Sequence, residues 1–190
     1  MTQTRSLRIR RLTEVLRAPA LLPLRGFGMS NRSALVTEVR PGRRTLLTEL
    51  VQDAGFLLVV EASSHQHAYE CVERIDFDML FVEVEDARDP RFALIHLVRQ
   101  DRKRNYRAPI IVVSADAQRG VIQRARDAGA HGFLARPFSR ASVQLQVTRG
   151  LVDRRTFIES PKFVGPDRRR WNDPTFGGPD RRGPANVVMI

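Results

Sequence analysis

The chain has 190 residues, enough for one domain of ordinary size with extensions. Its 42% apolar content supports a real core, no apolar run approaches the ~20 residues of a membrane-spanning helix, and the single cysteine, Cys71, excludes an internal disulfide. No Cys/His spacing suggests zinc, and the net charge of +11 splits unevenly into +6 on residues 1–33, +1 on 34–153 and +4 on 154–190. Such basic flanks on a near-neutral body suit an anionic partner, although an arginine-rich composition makes any single arginine weak evidence.

Residues 1–32 form a basic extension with two competing readings. Leu7, Arg8, Arg10, Arg11, Leu12, Val15 and Leu16 suit a short amphipathic helix on an anionic membrane surface. Met29-Ser30-Asn31-Arg32, just ahead of the first strand, suits a true translation start and is the favoured reading, so membrane contact is expected only if the extension is translated.

From residue 34 onward, short apolar runs alternate with stretches of helical length. The runs ALVTEV (34–39), FLLVVEA (56–62), MLFVEV (79–84), IIVVSA (110–115) and GFLA (132–135) read as parallel strands covered on both faces. Between them fall helical faces. The first is Leu46, Leu47, Leu50, Val51 and Ala54 with Gly55 as a C-cap, and the second is Ala68, Val72 and Ile75. Then come Leu94, Ile95, Leu97 and Val98, next Val121, Ile122 and Ala125 ahead of Gly129, and last Val143, Val147 and Leu151. Five strands alternating with helices predict an α/β doubly wound parallel sheet, with its site beyond the carboxyl ends of the strands.

Those ends carry Glu38-Val39, Glu83, Ser114-Ala115 and Phe133-Leu134-Ala135-Arg136-Pro137-Phe138. Together with Arg126-Asp127-Ala128-Gly129-Ala130 ahead of Gly132, and Asp78 ahead of MLFVE, they resemble the receiver domain of bacterial two-component response regulators. The resemblance covers roughly residues 33–150 and implies a flavodoxin-like strand order of 2-1-3-4-5. It also implies a phosphoacceptor site in which two acids and an Asp hold magnesium, that Asp accepts the phosphoryl group, and a Ser or Thr and a Lys bind its oxygens.

Here the site is degenerate. Glu38 keeps one acid, Val39 replaces the second, Glu83 stands at the acceptor position, Ser114 is retained and Arg136 replaces the Lys. Val39 offers no oxygen to a cation that demands near-octahedral oxygen ligands, so no magnesium is expected. Glu83 is one methylene too long for an in-line transfer, and Arg136 is expected to clamp Glu83 as a bidentate ion pair. Phe133 and Ser114 occupy the family's aromatic–hydroxyl switch positions. The resemblance further implies a partner surface on the fourth helix, fifth strand and fifth helix.

The tail, 154–190, is expected to be largely irregular. It repeats an aromatic-x-Gly-Pro-Asp-Arg-Arg motif, at Phe163 to Arg169 and again at Phe176 to Arg182. Asp167, Arg168, Arg169, Arg170, Trp171, Asp180, Arg181 and Arg182 are candidate nucleotide-binding residues, because paired Arg and Asp suit guanine edges and Trp171 can stack on a base. The layout is similar to that of small receiver-type proteins whose arginine-rich C-terminal segment binds cyclic di-GMP. Docking on an acidic protein surface is the level alternative. The tail's 37 residues with five prolines leave no room for a helix-turn-helix, so a transcription factor is not expected; nucleic acid, held through the basic tail alone, is the less favoured partner.

The domain plan is then 1–32, 33–153 and 154–190. The expected protein is a non-enzymatic cytoplasmic signalling adaptor with no cofactor. The alternative is a phosphorelay response regulator phosphorylated at an atypical acceptor.

Overall fold

The computed structural model describes residues 32–101, 104–153, 155–168 and 186–188. The N-terminal extension, Arg169 to Trp171 and the second tail repeat lie outside the described residues. Five parallel strands, β1 (Arg32–Thr37), β2 (Phe56–Ala62), β3 (Met79–Glu83), β4 (Ile110–Ser114) and β5 (Gly132–Ala135), lie in the order β2-β1-β3-β4-β5. The linking helices are α1 (Pro41–Asp53), α2 (His65–Arg74), α3 (Phe92–Gln100), α4 (Arg119–Ala128) and α5 (Arg140–Leu151). This is the expected doubly wound architecture.

The strand period of two sorts the core. Leu35, Leu80, Val82, Ile110 and Val112 face α2, α3 and α4, where Ala68, Ile95, Val98, Val121 and Ala125 meet them. Ala34, Val36, Met79, Phe81, Ile111 and Val113 face α1 and α5, against Leu47, Val51, Val143 and Val147. Every residue of β3 and β4 is buried, as parallel strands between two helical layers must be. Leu46, Leu97 and Ile122, expected on apolar helix faces, fall at the edges of those stripes and are exposed.

The tail departs from expectation. Residues 157–160 and 163–166 are not irregular but form an antiparallel hairpin, β6 (Phe157–Ser160) and β7 (Phe163–Pro166), with β8 (Asn186–Val188) paired to β6. The tight turn is held by Ser160, whose hydroxyl accepts from the Phe163 N–H and donates to the Phe163 carbonyl. Phe157 and Ile158 are buried, and their burial is what rewards ordering this segment.

Two glycines seat the hairpin on the receiver body. Gly129 ends α4 with φ +96°, a left-handed C-cap, and Gly165 in β7 has φ +154°. A Cβ on Gly129 would lie 2.4 Å from the Val164 carbonyl oxygen, and one on Gly165 would lie 2.8 Å from the Gly129 Cα. Backbone therefore packs on backbone.

Beneath this seam Arg99 is 1% exposed. Its guanidinium donates to the carbonyls of Gly129 (3.0 Å), Tyr106 (2.6 Å) and Ala108 (3.0 Å), and sits 3.1 Å from His131 Nδ1. The Phe157 ring lies 5.6 Å from the guanidinium carbon and closes the cage. Burial lowers the Arg99 pKa to about 9 and, with the Arg99 charge second, pushes His131 well below its usual value. His131 is therefore the neutral partner of a buried cation.

Candidate functional site

The carboxyl ends of β1, β3 and β4 gather Glu38, Glu83 and Ser114, all buried, and Arg136 follows β5. The structure pairs them differently from expectation. Arg136 does not reach Glu83; its Nη2 meets Glu38 Oε2 at 2.5 Å, while its guanidinium lies 4.9 Å from the Phe138 ring centre. Glu83 is held instead by Nη1 of Arg91, a residue from the loop between β3 and α3. The predicted Glu83–Arg136 clamp is thus corrected to two separate pairs, because the loop after β3 folds Arg91, anchored by Asp89, onto Glu83 while Arg136 is taken up by Glu38.

Arg91 is itself positioned by Asp89. The buried Asp89 carboxylate accepts from the Arg91 guanidinium (Nε 2.8 Å, Nη2 2.5 Å), from the Arg91 N–H at 2.8 Å and from the Glu85 N–H at 2.6 Å. Arg91 Nη2 also lies 3.7 Å from Glu85 Oε1, and Arg40 approaches the same carboxylate at 3.8 Å. One guanidinium thus touches three carboxylates. Burial lowers the Arg91 pKa and the neighbouring Glu38 charge opposes that shift, an arrangement that keeps a half-buried arginine charged. Burial likewise lowers that of Arg136, again opposed by Glu38.

The remaining positions follow suit. Val39 is 54% exposed and adds no ligand. Ser114 Oγ donates to the Glu85 carbonyl at 3.4 Å and accepts from the Asp116 N–H at 3.1 Å, so the hydroxyl braces the surrounding loops. Phe133 is half-buried against the core, and its carbonyl accepts from Gln146. Beside Glu38 and Arg91 the cleft measures about 10 Å³, room for on the order of one water.

A magnesium ion does not fit this donor set. Val39 supplies no oxygen, the Glu83 and Asp89 oxygens are directed at Arg91, and among the described residues no group of three His, Cys, Asp or Glu is placed to hold a metal. Arg91 and Asp89 escaped sequence reasoning. The signal available was the alternation Asp86, Arg88, Asp89, Arg91 directly after the third strand.

Of the tail candidates, only Asp167 and Arg168 lie among the described residues. Asp167 donates its N–H to the Thr156 carbonyl at 2.8 Å. Arg168 pairs with Asp127 of α4 at 2.6 Å and stacks 4.3 Å over the Phe163 ring. The first repeat thus docks on its own receiver body.

This sheet, with its cluster of charged side chains at the strand ends, defines a class. The response regulator receiver domain model matches residues 34–148, and the chain belongs to that family, whose members act in two-component signalling and engage partner proteins. It is 32% identical over 122 residues to the transcriptional regulatory protein PdtaR of Mycobacterium tuberculosis, a match covering 62% of this chain and 58% of that protein's length. The chemotaxis protein CheY-3 of Vibrio cholerae is 25% identical over 114 residues, covering 60% of this chain and 87% of that protein. Among solved structures, Vibrio cholerae CheY4 superposes with a TM-score of 0.57 at 22% identity, over 63% of this chain and 98% of that one. Among the described residues no helix is long and apolar enough to cross a membrane.

Proposed function

We propose that this chain is a pseudo-receiver, a signalling adaptor whose state does not depend on phosphorylation and whose output is protein–protein contact. The observation that carries the reading is the closed charge network: Arg91 on Glu83 and Asp89, and Arg136 on Glu38. A working receiver must admit a divalent cation and a phosphoryl group between these side chains. Here guanidiniums neutralise the carboxylates from within. The exposed Ile122 and Leu145 with half-buried Phe133 suit the α4–β5–α5 face for the partner.

Incubation with acetyl phosphate and magnesium, followed by intact-mass measurement, is expected to yield no phosphorylated species. Magnesium with beryllofluoride is expected to leave the melting temperature unchanged. A stable label on Glu83 would overturn the proposal and restore the atypical-acceptor reading.

For the input, the accompanying reading is cyclic di-GMP binding through the tail, supported by the repeated motif and by the part-exposed guanidinium of Arg168. Calorimetry on the full chain is expected to show binding that weakens in Arg168→Ala and Arg181→Ala. Unchanged affinity in both would end the guanine reading.

A further inference from the structure

A second cleft, of about 170 Å³, opens between α4, β5 and the C-terminal hairpin, far larger than the space beside Glu38. Its lining includes Arg126, Arg155 and Arg168 together with Ile122, Phe133 and Pro166. The three arginines come from three separate parts of the chain: Arg126 from α4, Arg155 from the α5–β6 connection, Arg168 from beyond β7. Independent elements thus converge a single kind of charge on one concavity.

Two of the three guanidiniums are held in place. Arg155 Nη2 donates to the His131 carbonyl at 2.8 Å and also binds Asp153, while Arg168 is fixed by Asp127 and the Phe163 ring. Both stay part-exposed, with side chains 38% and 41% accessible. Arg126 donates to the Arg168 carbonyl at 3.2 Å and has no carboxylate within ion-pair distance among the described residues. The lining itself holds three cations and no carboxylate, while Asp153 and Asp127 pair with Arg155 and Arg168.

We infer that this cleft is a binding site for a small organic phosphate, entering phosphate first. Forked guanidiniums from different directions match the several oxygens of a phosphate or diphosphate better than a single carboxylate. The volume holds on the order of ten waters, which suits a diphosphate or the phosphate end of a nucleotide rather than a whole dinucleotide. Ile122, Phe133 and Pro166 give an attached apolar or flat group a surface to lie on. A ligand here bridges the receiver body and the hairpin on the proposed partner face, so occupancy would be read directly by whatever docks there. The inference rests neither on the phosphorylation reading nor on the second tail repeat.

The test is calorimetric titration of the full chain with pyrophosphate at low ionic strength. Expected is saturable one-to-one binding, weakened about tenfold or more by Arg126→Gln and by Arg155→Gln, the loss typical of a charge-assisted contact. Arg74→Gln, on α2 and outside the cleft, is expected to bind as the wild type does. Arg126→Gln alters an exposed helix position, and an unchanged circular-dichroism melt separates lost binding from lost folding. Non-saturable heats, or an equal loss in Arg74→Gln, would reduce the effect to diffuse attraction and sink the proposal. Pyrophosphate binding that survives Arg181→Ala separates this site from the tail-dependent guanine reading.

Discussion

Phe157→Ala tests whether the hairpin is part of the folding unit or a mere appendage. The ring is 1% exposed and touches four partners: Arg99 and Arg107 at 5.6 Å each, Tyr106 edge-on at 6.1 Å, and His131 at 6.4 Å. Truncating a buried Phe costs about 3–5 kcal/mol through lost transfer energy and the cavity left behind. A second effect opposes it. Among the described residues no carboxylate pairs with the buried Arg99, and removing the ring lets water reach the guanidinium, relieving part of its desolvation. The expected loss is therefore about 3 kcal/mol, the low end of the range, measured as a change in urea midpoint at constant m-value. For a domain of this size it corresponds to roughly 6–12 °C in Tm. A loss below ~1 kcal/mol, the level of a surface substitution, would show that the hairpin is not coupled to the receiver core and refute the reasoning.

Four further outcomes follow from the same geometry. Arg91→Met leaves the nearly buried Glu83 and Asp89 without their cation and should cost about 3–5 kcal/mol in denaturant unfolding at neutral pH; a neutral result would mean the network does not organise the site. Gly129→Ala should cost more than ~1–2 kcal/mol, because φ +96° is strained for alanine and the new Cβ meets the Val164 carbonyl, with loss of hairpin protection in hydrogen exchange as the second readout. His131 has a lowered folded pKa, so below about pH 6.5 the unfolded chain takes up a proton that the folded chain refuses. Its stability contribution is complete above that value and declines as pH falls towards the folded pKa, by up to ~1.4 kcal/mol per unit, and His131→Gln should flatten that limb. Burial pushes the Cys71 thiol up to about 11, so it should resist thiol reagents at pH 8 until urea unfolds the chain; rapid labelling of the native protein would contradict its placement.

The sheet was legible because burial on both faces leaves a strong trace: β3 and β4 are runs of apolar residues, and Gly129 marked a helix end that is a left-handed cap. The hairpin was not. Its buried pair is only Phe157-Ile158, set among arginines and prolines, and the partner surface of α3 and α4 is assembled from distant segments. Gly165, the glycine of the first repeat, lets β7 lie against Gly129. The resemblance to the receiver family assigned the five positions, yet it did not reveal their pairing. Pairing depends on which long side chain arrives from which loop, and in a chain with 32 basic residues no single arginine stands out. Arg91 illustrates the consequence. A divalent cation is recruited from solvent and can leave, so a site built on one can switch. A guanidinium carried on the loop between β3 and α3 and anchored by the buried Asp89 is part of the chain itself and pairs with Glu83. On the pseudo-receiver reading proposed above, Val39, Glu83 and Arg136 remove the phosphotransfer chemistry, while Arg91 holds the resulting state. On that reading a variable input enters elsewhere, and the arginine-lined cleft against the hairpin has both the space and the charge for it.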